Sequence, residues 1–255
     1  VTEPDTVHFG LVELDLLAAH AGVPLPFPLR VPSFGRLAGE REILLATAGE
    51  ALALRGLADD RGPVGAAEEV VTALREHHGA IDLVLAGESG TTVVAALVYR
   101  SSVLLFHQTL DDSQRVGVRR FTDAALAAEL LKLVPQLAAP VSMPITIPAP
   151  AVKAVTELPG EIGEQEMRDL FRDHGGEPAV LDNLVGLLVP LTGRGQLGAT
   201  RRGARAGTEL SWLDGPKGRV RVDPAADGWL SVNPLHRAAV RSALEELATI
   251  ARSPR

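Results

Sequence analysis

The chain repeats one long pattern, and that repetition limits the folds open to it. Residues from about Ala66 to Leu133 read helix, four strands, helix, and residues from about Pro178 to Ala251 read the same way. The first copy runs through AAEEVVTALREHHG, IDLVLAG, TTVVAALVY, VLLFHQTL, VGVRRF and TDAALAAELLKLV. The second runs through PAVLDNLVGLLV, GQLGAT, TELSWLDG, GRVRVD, GWLSV and NPLHRAAVRSALEELATIA. A unit this long is not the short period of a solenoid. It predicts two pseudo-equivalent halves, about 1–150 and 151–255, joining their strands into one sheet. The 255 residues then form one domain with a broad surface, and surfaces bind other macromolecules.

Local signals fill in the pattern. Leu11–Ala21 reads as a helix stopped by Gly22, and Leu25–Pro32, with three prolines, as an extended segment or edge strand. Leu37–Leu57 reads as a long helix with an apolar stripe of Ile43, Leu44, Ala48, Ala51, Leu52 and Leu54. Ala66–His78 follows, with Gly79 expected just past its end. Thr91–Tyr99 is apolar on both alternating faces, the mark of a strand covered on both sides. Asp111–Ser113 reads as a turn, and Thr122 as the cap of a helix over Asp123–Val134. Helices are also expected over Glu164–His174 and Pro178–Val189, and Asn233–Pro234 reads as the start of the last helix. Antiparallel hairpins with helices gathered around them give an α+β architecture.

Composition narrows the function. Aromatic residues make up only 4% of the chain, so Leu, Val and Ala must build the core. A net charge of −7 argues against a general nucleic-acid binder, which needs a basic face. No cysteine is present, so thiol chemistry and disulfides are excluded, in keeping with a reducing cytoplasm. The opening residues carry acidic groups and no Lys or Arg, so no secretory signal is expected there. Leu133–Val152 is free of charge, yet its five prolines forbid a membrane helix. It reads as a helix end, a strand around Ser142–Ile147 and a proline-stiffened connection between the halves.

The search for chemistry returns no catalytic constellation, cofactor loop or metal motif. Gly87-Glu88-Ser89-Gly90 fails as a nucleophile elbow because Thr91 stands where glycine is needed, and it lies between two strands. It reads as a hairpin turn. Gly193-Arg194-Gly195-Gln196-Leu197-Gly198 lacks the Gly-Lys-Ser/Thr of a phosphate loop. The histidines, including the adjacent His77 and His78, read as surface or helix-terminal residues. The basic run Arg201-Arg202-Gly203-Ala204-Arg205 is either a solvated loop or a contact for an acidic protein or RNA. Trp212 and Trp229 read as sheet packing rather than a base-stacking platform.

Several runs carry a family resemblance. Gly195–Gly198, the hairpin Trp212-Leu213-Asp214-Gly215-Pro216-Lys217-Gly218-Arg219 and Asp227-Gly228-Trp229 before the terminal helix resemble the EspG family of ESX, or type VII, secretion. Leu25-Pro26-Phe27-Pro28-Leu29 and Val31-Pro32-Ser33-Phe34-Gly35-Arg36 resemble its opening. The resemblance implies a pseudo-twofold fold, a central antiparallel sheet flanked by helical bundles. It also implies a non-catalytic cytoplasmic chaperone that covers the apolar tip of a PPE-type protein paired with a PE-type protein. Carried onto this chain, it points to Gln196, Ala199, Arg201 and Trp212 as partner-binding residues, with Leu184 and Leu187 as apolar contacts or core. A structural protein that homodimerises through its sheet face is the alternative.

Overall fold

The computed structural model describes residues 6–111, 113–156 and 163–253. The first of two compact units holds residues up to Leu133, Leu197–Glu209, and residues from Ala243 on. The second holds Val134–Gln196 and Leu210–Ser242.

In the first unit β1 (Val7–Gly10) runs directly into α1 (Leu11–Ala21). The backbone N–H of Gly10 donates to Glu13 Oε2 at 2.7 Å, and Gly22, at φ 71°, closes the helix as its pattern predicts. Residues 25–32 cross the unit as irregular chain rather than as a strand. Gln108 bonds both the N–H and the C=O of Arg30, which satisfies backbone that has no ladder to join. Next comes α2 (Ala38–Leu54), then a two-residue ribbon of β2 (Ala58–Asp59) and β3 (Gly62–Pro63), then α3 (Ala66–Glu76). Only Ala48 and Leu52 of the expected α2 stripe are buried, whereas Ile43 and Leu54 face solvent. The acids of α1 decide which side of α2 turns inward. Arg41 donates to both oxygens of Asp15 at 2.7 and 3.1 Å, and Arg55, just past α2, holds Glu13.

Four strands then form a meander: β4 (Gly79–Gly87), β5 (Gly90–Tyr99), β6 (Ser102–Thr109) and β7 (Arg115–Thr122). The expected hairpin at Glu88–Ser89 is closed by the Gly87–Gly90 pair. Asp112, within the expected 111–113 turn, lies outside the described residues. β5 is buried continuously from Val93 to Tyr99, as its two apolar faces require. On one face Ala95, Leu97, Leu104 and Phe106 pack with Leu14, Leu17, Leu52, Val70 and Leu74 of α1–α3. Each fully buried Leu there contributes about 2 kcal/mol of transfer free energy. After a 3₁₀ turn at Asp123–Ala125, α4 (Leu126–Leu133) buries Leu126 and Leu130. Thr122 occupies the cap position, but its hydroxyl makes no capping bond.

Unit two opens with β8 (Ile145–Pro148), which passes straight into α5 (Ala149–Thr156). The strand expected around Ser142–Ile147 forms, a few residues later, but a helix stands where a stiff connection is expected after it. Pro150 sits in the first turn of α5, where a missing N–H costs nothing. α6 (Glu164–Asp173) and α7 (Pro178–Leu188) follow, and Phe171, Leu181 and Leu187 build a core with Ile147, Val220 and Val232. The remaining elements are β9 (Gly193–Arg201), β10 (Ala204–Gly215), β11 (Gly218–Pro224), β12 (Trp229–Pro234) and α8 (Arg237–Arg252). Asn233 is therefore a strand residue, not a helix cap. It pairs with Arg221, its amide donates to Ser231 Oγ at 2.8 Å, and Leu235 N–H still bonds Arg219 C=O. The chain thus stays extended past Pro234 before α8 begins.

Ten strands hydrogen-bond in the order β1-β7-β6-β5-β4-β9-β10-β11-β12-β8. Consecutive members of the two meanders pair antiparallel, as do β1 with β7 and β12 with β8. The expected α+β class with a large antiparallel sheet is what forms. Helices flank it within each unit.

Gly79 is the first residue of β4 rather than a helix-end residue. It lies against α8, where an added Cβ would stand 2.7 Å from Ala251 Cα and 2.8 Å from its carbonyl carbon, both backbone atoms. Gly79→Val is expected to cost at least about 2 kcal/mol through this overlap. A lowered urea midpoint at unchanged slope is the measurement that checks it.

Candidate partner-binding surface

The basic run forms the β9–β10 hairpin of the first unit. Arg202 and Gly203, at φ 52° and 76°, make the two-residue turn. Arg205 then points back into its own unit. Its guanidinium bonds both carboxylate oxygens of Asp82, reaches Glu209 at 2.8 Å and stacks over the Phe27 ring at 5.5 Å. Gly198 leaves room for it: an added Cβ there would meet the guanidinium at 2.8 Å. Asp82 is 3% exposed, and burial pushes its carboxyl above the usual range while Arg205 pulls it back. One arginine of the run is therefore committed to an internal ion pair.

In the second unit the hairpin Trp212–Arg219 is locked together. Trp212 is buried on Gly195, whose missing side chain leaves space for the indole. Arg219 lies over that indole at 5.1 Å and forms two parallel bonds to Asp214, at 2.7 and 2.8 Å. A third bond from Arg219 reaches Pro135 C=O at 3.1 Å. Thr192 donates through N–H and hydroxyl to Asp214 C=O, fixing the entry to β9. The residues that resembled a family signature thus hold a rigid hairpin.

Two segments of the same unit abut this hairpin. At Gly215 an added Cβ would meet Leu188 Cα at 2.6 Å, so the end of α7 rests on one flank. A Cβ at Gly218 would stand 2.9 Å from Pro140 N, and Arg219 N–H donates to Ala138 C=O at 2.9 Å, so residues 138–140 rest on the hairpin as well. Both segments turn apolar side chains outward. Val185, Val189 and Leu191 are exposed at the end of α7, and Leu137, Val141 and Met143 beside residues 138–140. Val141 is fully exposed and Met143 is 81% exposed. Six apolar side chains on the segments that abut the hairpin thus edge it with a rim that water solvates poorly.

The six residues singled out from the sequence lie differently. Trp212, Leu187 and Ala199 are buried, whereas Leu184, Gln196 and Arg201 are half-exposed. Leu184, Leu187 and Trp212 belong to the second unit with Gln196, while Ala199 and Arg201 belong to the first. None of the six rim residues, Leu137, Val141, Met143, Val185, Val189 and Leu191, is in that set. Their signal was present in the charge-free run after Leu133 and in the apolar residues on either side of Pro190. Trp229 is exposed at the start of β12, so the two tryptophans have opposite surroundings. His77 and His174 bond their ring nitrogens to carbonyls at their own helix ends. Among the described residues no His, Cys, Asp and Glu group is placed to hold a metal ion. No described helix is long and apolar enough to cross a membrane.

A rigid hairpin edged with exposed apolar side chains offers area of the kind that protein–protein contacts bury. The chain belongs to the EspG family, whose sequence profile matches residues 11–246. A solved structure of the Mycobacterium tuberculosis type VII secretion system chaperone EspG5, in complex with a PE25–PPE41 dimer, is similar to it at 14% identity. The likeness has a TM-score of 0.64 and covers 96% of each chain. No curated protein matches the sequence.

Arg205→Gln leaves the Asp82 carboxylate buried without its cation. Because Arg205 is two-fifths exposed, the expected loss is about 2 kcal/mol, below that of a fully buried pair. With a carboxyl raised in the folded state, the native chain binds more protons than the unfolded one between the two pKa values. Stability therefore rises as pH falls through that window, and does so more steeply in the variant. Urea midpoints across the acid range check both outcomes.

Proposed function

We propose that this chain is a cytoplasmic chaperone of type VII secretion that holds the apolar tip of a PPE-type protein, itself paired with a PE-type protein, until export. The apolar rim around the β10–β11 hairpin carries this reading, in a chain of the EspG family whose fold is shared with EspG5. Covering the six rim side chains offers on the order of 5–10 kcal/mol of gross transfer free energy. Association consumes a large share of it, which leaves a complex that can still be released.

The partner contacts proposed are Leu184, Gln196 and Arg201, which are half-exposed, together with the rim residues Val185 and Val189. Trp212, Ala199 and Leu187 support the strands and helix from beneath. A pseudo-twofold duplication underlies this design. The order α3, β4–β7, α4 is matched by α7, β9–β12, α8, and β1 borders β7 as β8 borders β12, which supports halves near 1–150 and 151–255 within one domain.

Co-expression with a PE–PPE-type pair from the same genome tests the function. A stable complex by size-exclusion chromatography with light scattering is expected, with the pair insoluble on its own. A pair that stays soluble unaided and elutes apart would overturn the chaperone reading, and a concentration-dependent dimer would favour self-association. Val185→Glu with Val189→Glu should weaken the complex at least about tenfold by placing charges in a dry contact. Both side chains are exposed, so the melting temperature should stay within a few degrees.

A further inference from the structure

An open groove of about 950 Å3 lies in the first unit, over side chains of β6, β7 and β1 and beside the end of α4. Leu105, His107 and Thr109 project from alternate positions of β6. Beside them Arg119, Gly117 and Arg115 project from β7, with Leu105 opposite Arg119 and His107 opposite Gly117. On the far side of β7, His8 pairs with Gly117. The middle of the groove is therefore a row of imidazole, bare backbone and imidazole across three strands, with Arg115 and Arg119 two residues to either side of Gly117 along β7. A Cβ at Gly117 would lie 3.1 Å from the Thr6 methyl and 3.6 Å from His8 Nε2, so the missing side chain keeps this depression open.

Among the described residues the charges are unbalanced. Arg119 and Lys132 share the single carboxylate of Glu129, at 2.8 and 2.5 Å. Among the described residues Arg115 has no ion-pair partner, and Asp111 is the only acid lining the groove. This local cationic surplus stands in a chain of net charge −7. Arg115 and Arg119 are four residues apart on one strand, so their Cα atoms are roughly 13 Å apart. A small anion would engage one end alone. An extended peptide places two carboxylates four residues apart at that same spacing. Thr6, Thr109 and Ser113 add hydroxyls that can bond its backbone.

We propose that this groove binds an acidic protein segment in extended form, with one carboxylate at Arg115 and a second at Arg119 and Lys132. The proposal goes beyond the chaperone function and does not rest on it. It also sets a pH dependence. Around the groove His107 shares the lining with His8 of β1, Arg115 and Arg119 of β7, Asp111 of the turn and Lys132 of α4, and Glu129 of α4 holds Arg119 and Lys132. Burial first, and then Arg119, hold its imidazole below the ordinary range. An arriving carboxylate favours the protonated ring, so binding takes up protons and strengthens as pH falls towards the ring's lowered range.

The probe is a fluorescent peptide with two aspartates four residues apart in a Ser/Thr background, titrated with the full chain at low salt and followed by anisotropy. The same peptide with asparagines should bind at least about tenfold more weakly, and Arg115→Glu should lose a similar factor for the acidic peptide. The circular dichroism and melting temperature of that variant should match the parent, since Arg115 is exposed. Equal binding of both peptides, or equal binding by parent and variant, would overturn the proposal. Displacement by inorganic phosphate as readily as by unlabelled peptide would overturn it too, by showing a site for small anions.

Discussion

A strand with no wet face forces the rest of the first unit into place. From Val93 to Tyr99 every side chain of β5 is buried, so both sides of the sheet must be covered. α1–α3 answer on one face, bringing Leu17, Leu52 and Leu74 against Leu97 and Phe106. On the other, the end of α8 lies against Gly79 and α4 is tied to β7 through Glu129 and Arg119. Because those helices must sit close, backbone meets backbone at Gly79, and because polar chain crosses an apolar face, Gln108 bonds both groups of Arg30. The apolar strand thus dictates where glycine and polar side chains are needed.

The second unit applies its rigidity differently. Asp214, Arg219, Trp212 and Gly195 are spent on holding one hairpin, and Gly215 and Gly218 let flanking chain rest on it. Residues of this kind define the family resemblance, yet they lie inside. What the border of the hairpin exposes is Val141, Met143, Val189 and Leu191, which have no motif to announce them. Fixing the support while leaving the contact residues ordinary lets one scaffold carry different surface chemistry.

Much of the architecture was legible because it rests on short-range physics. Alternation in Thr91–Tyr99, the Gly22 stop and the Gly87–Gly90 hairpin each depend on a few neighbouring residues, and each formed where expected. Where distant residues decide, the local signal failed. The acids of α1 turned α2 through Arg41 and Arg55, leaving Ile43 outside although its spacing fits the stripe. Asn233 and Pro234 have the chemistry of a helix start, but pairing with β11 kept them extended. α5 hid among prolines that ordinarily break helices and here sit at its beginning. Arg205 looked like surface charge because Asp82, more than a hundred positions earlier, is invisible to any local window. The site was legible in the same measure: the hairpin was visible as a signature, while the exposure of its apolar border depends on packing.

The way the chain is shared between units has a consequence for its synthesis. The first unit closes only with Leu197–Glu209 and residues from Ala243 on, which are made well after strands β4–β7. Until then Asp82 lacks Arg205, and the groove at Gly79 lacks the α8 backbone that fills it. Strands β4–β7 therefore emerge with an apolar face open and a carboxylate unpaired until those later segments follow. A protein proposed to shelter the exposed surface of others is thus itself in need of shelter while it is being made.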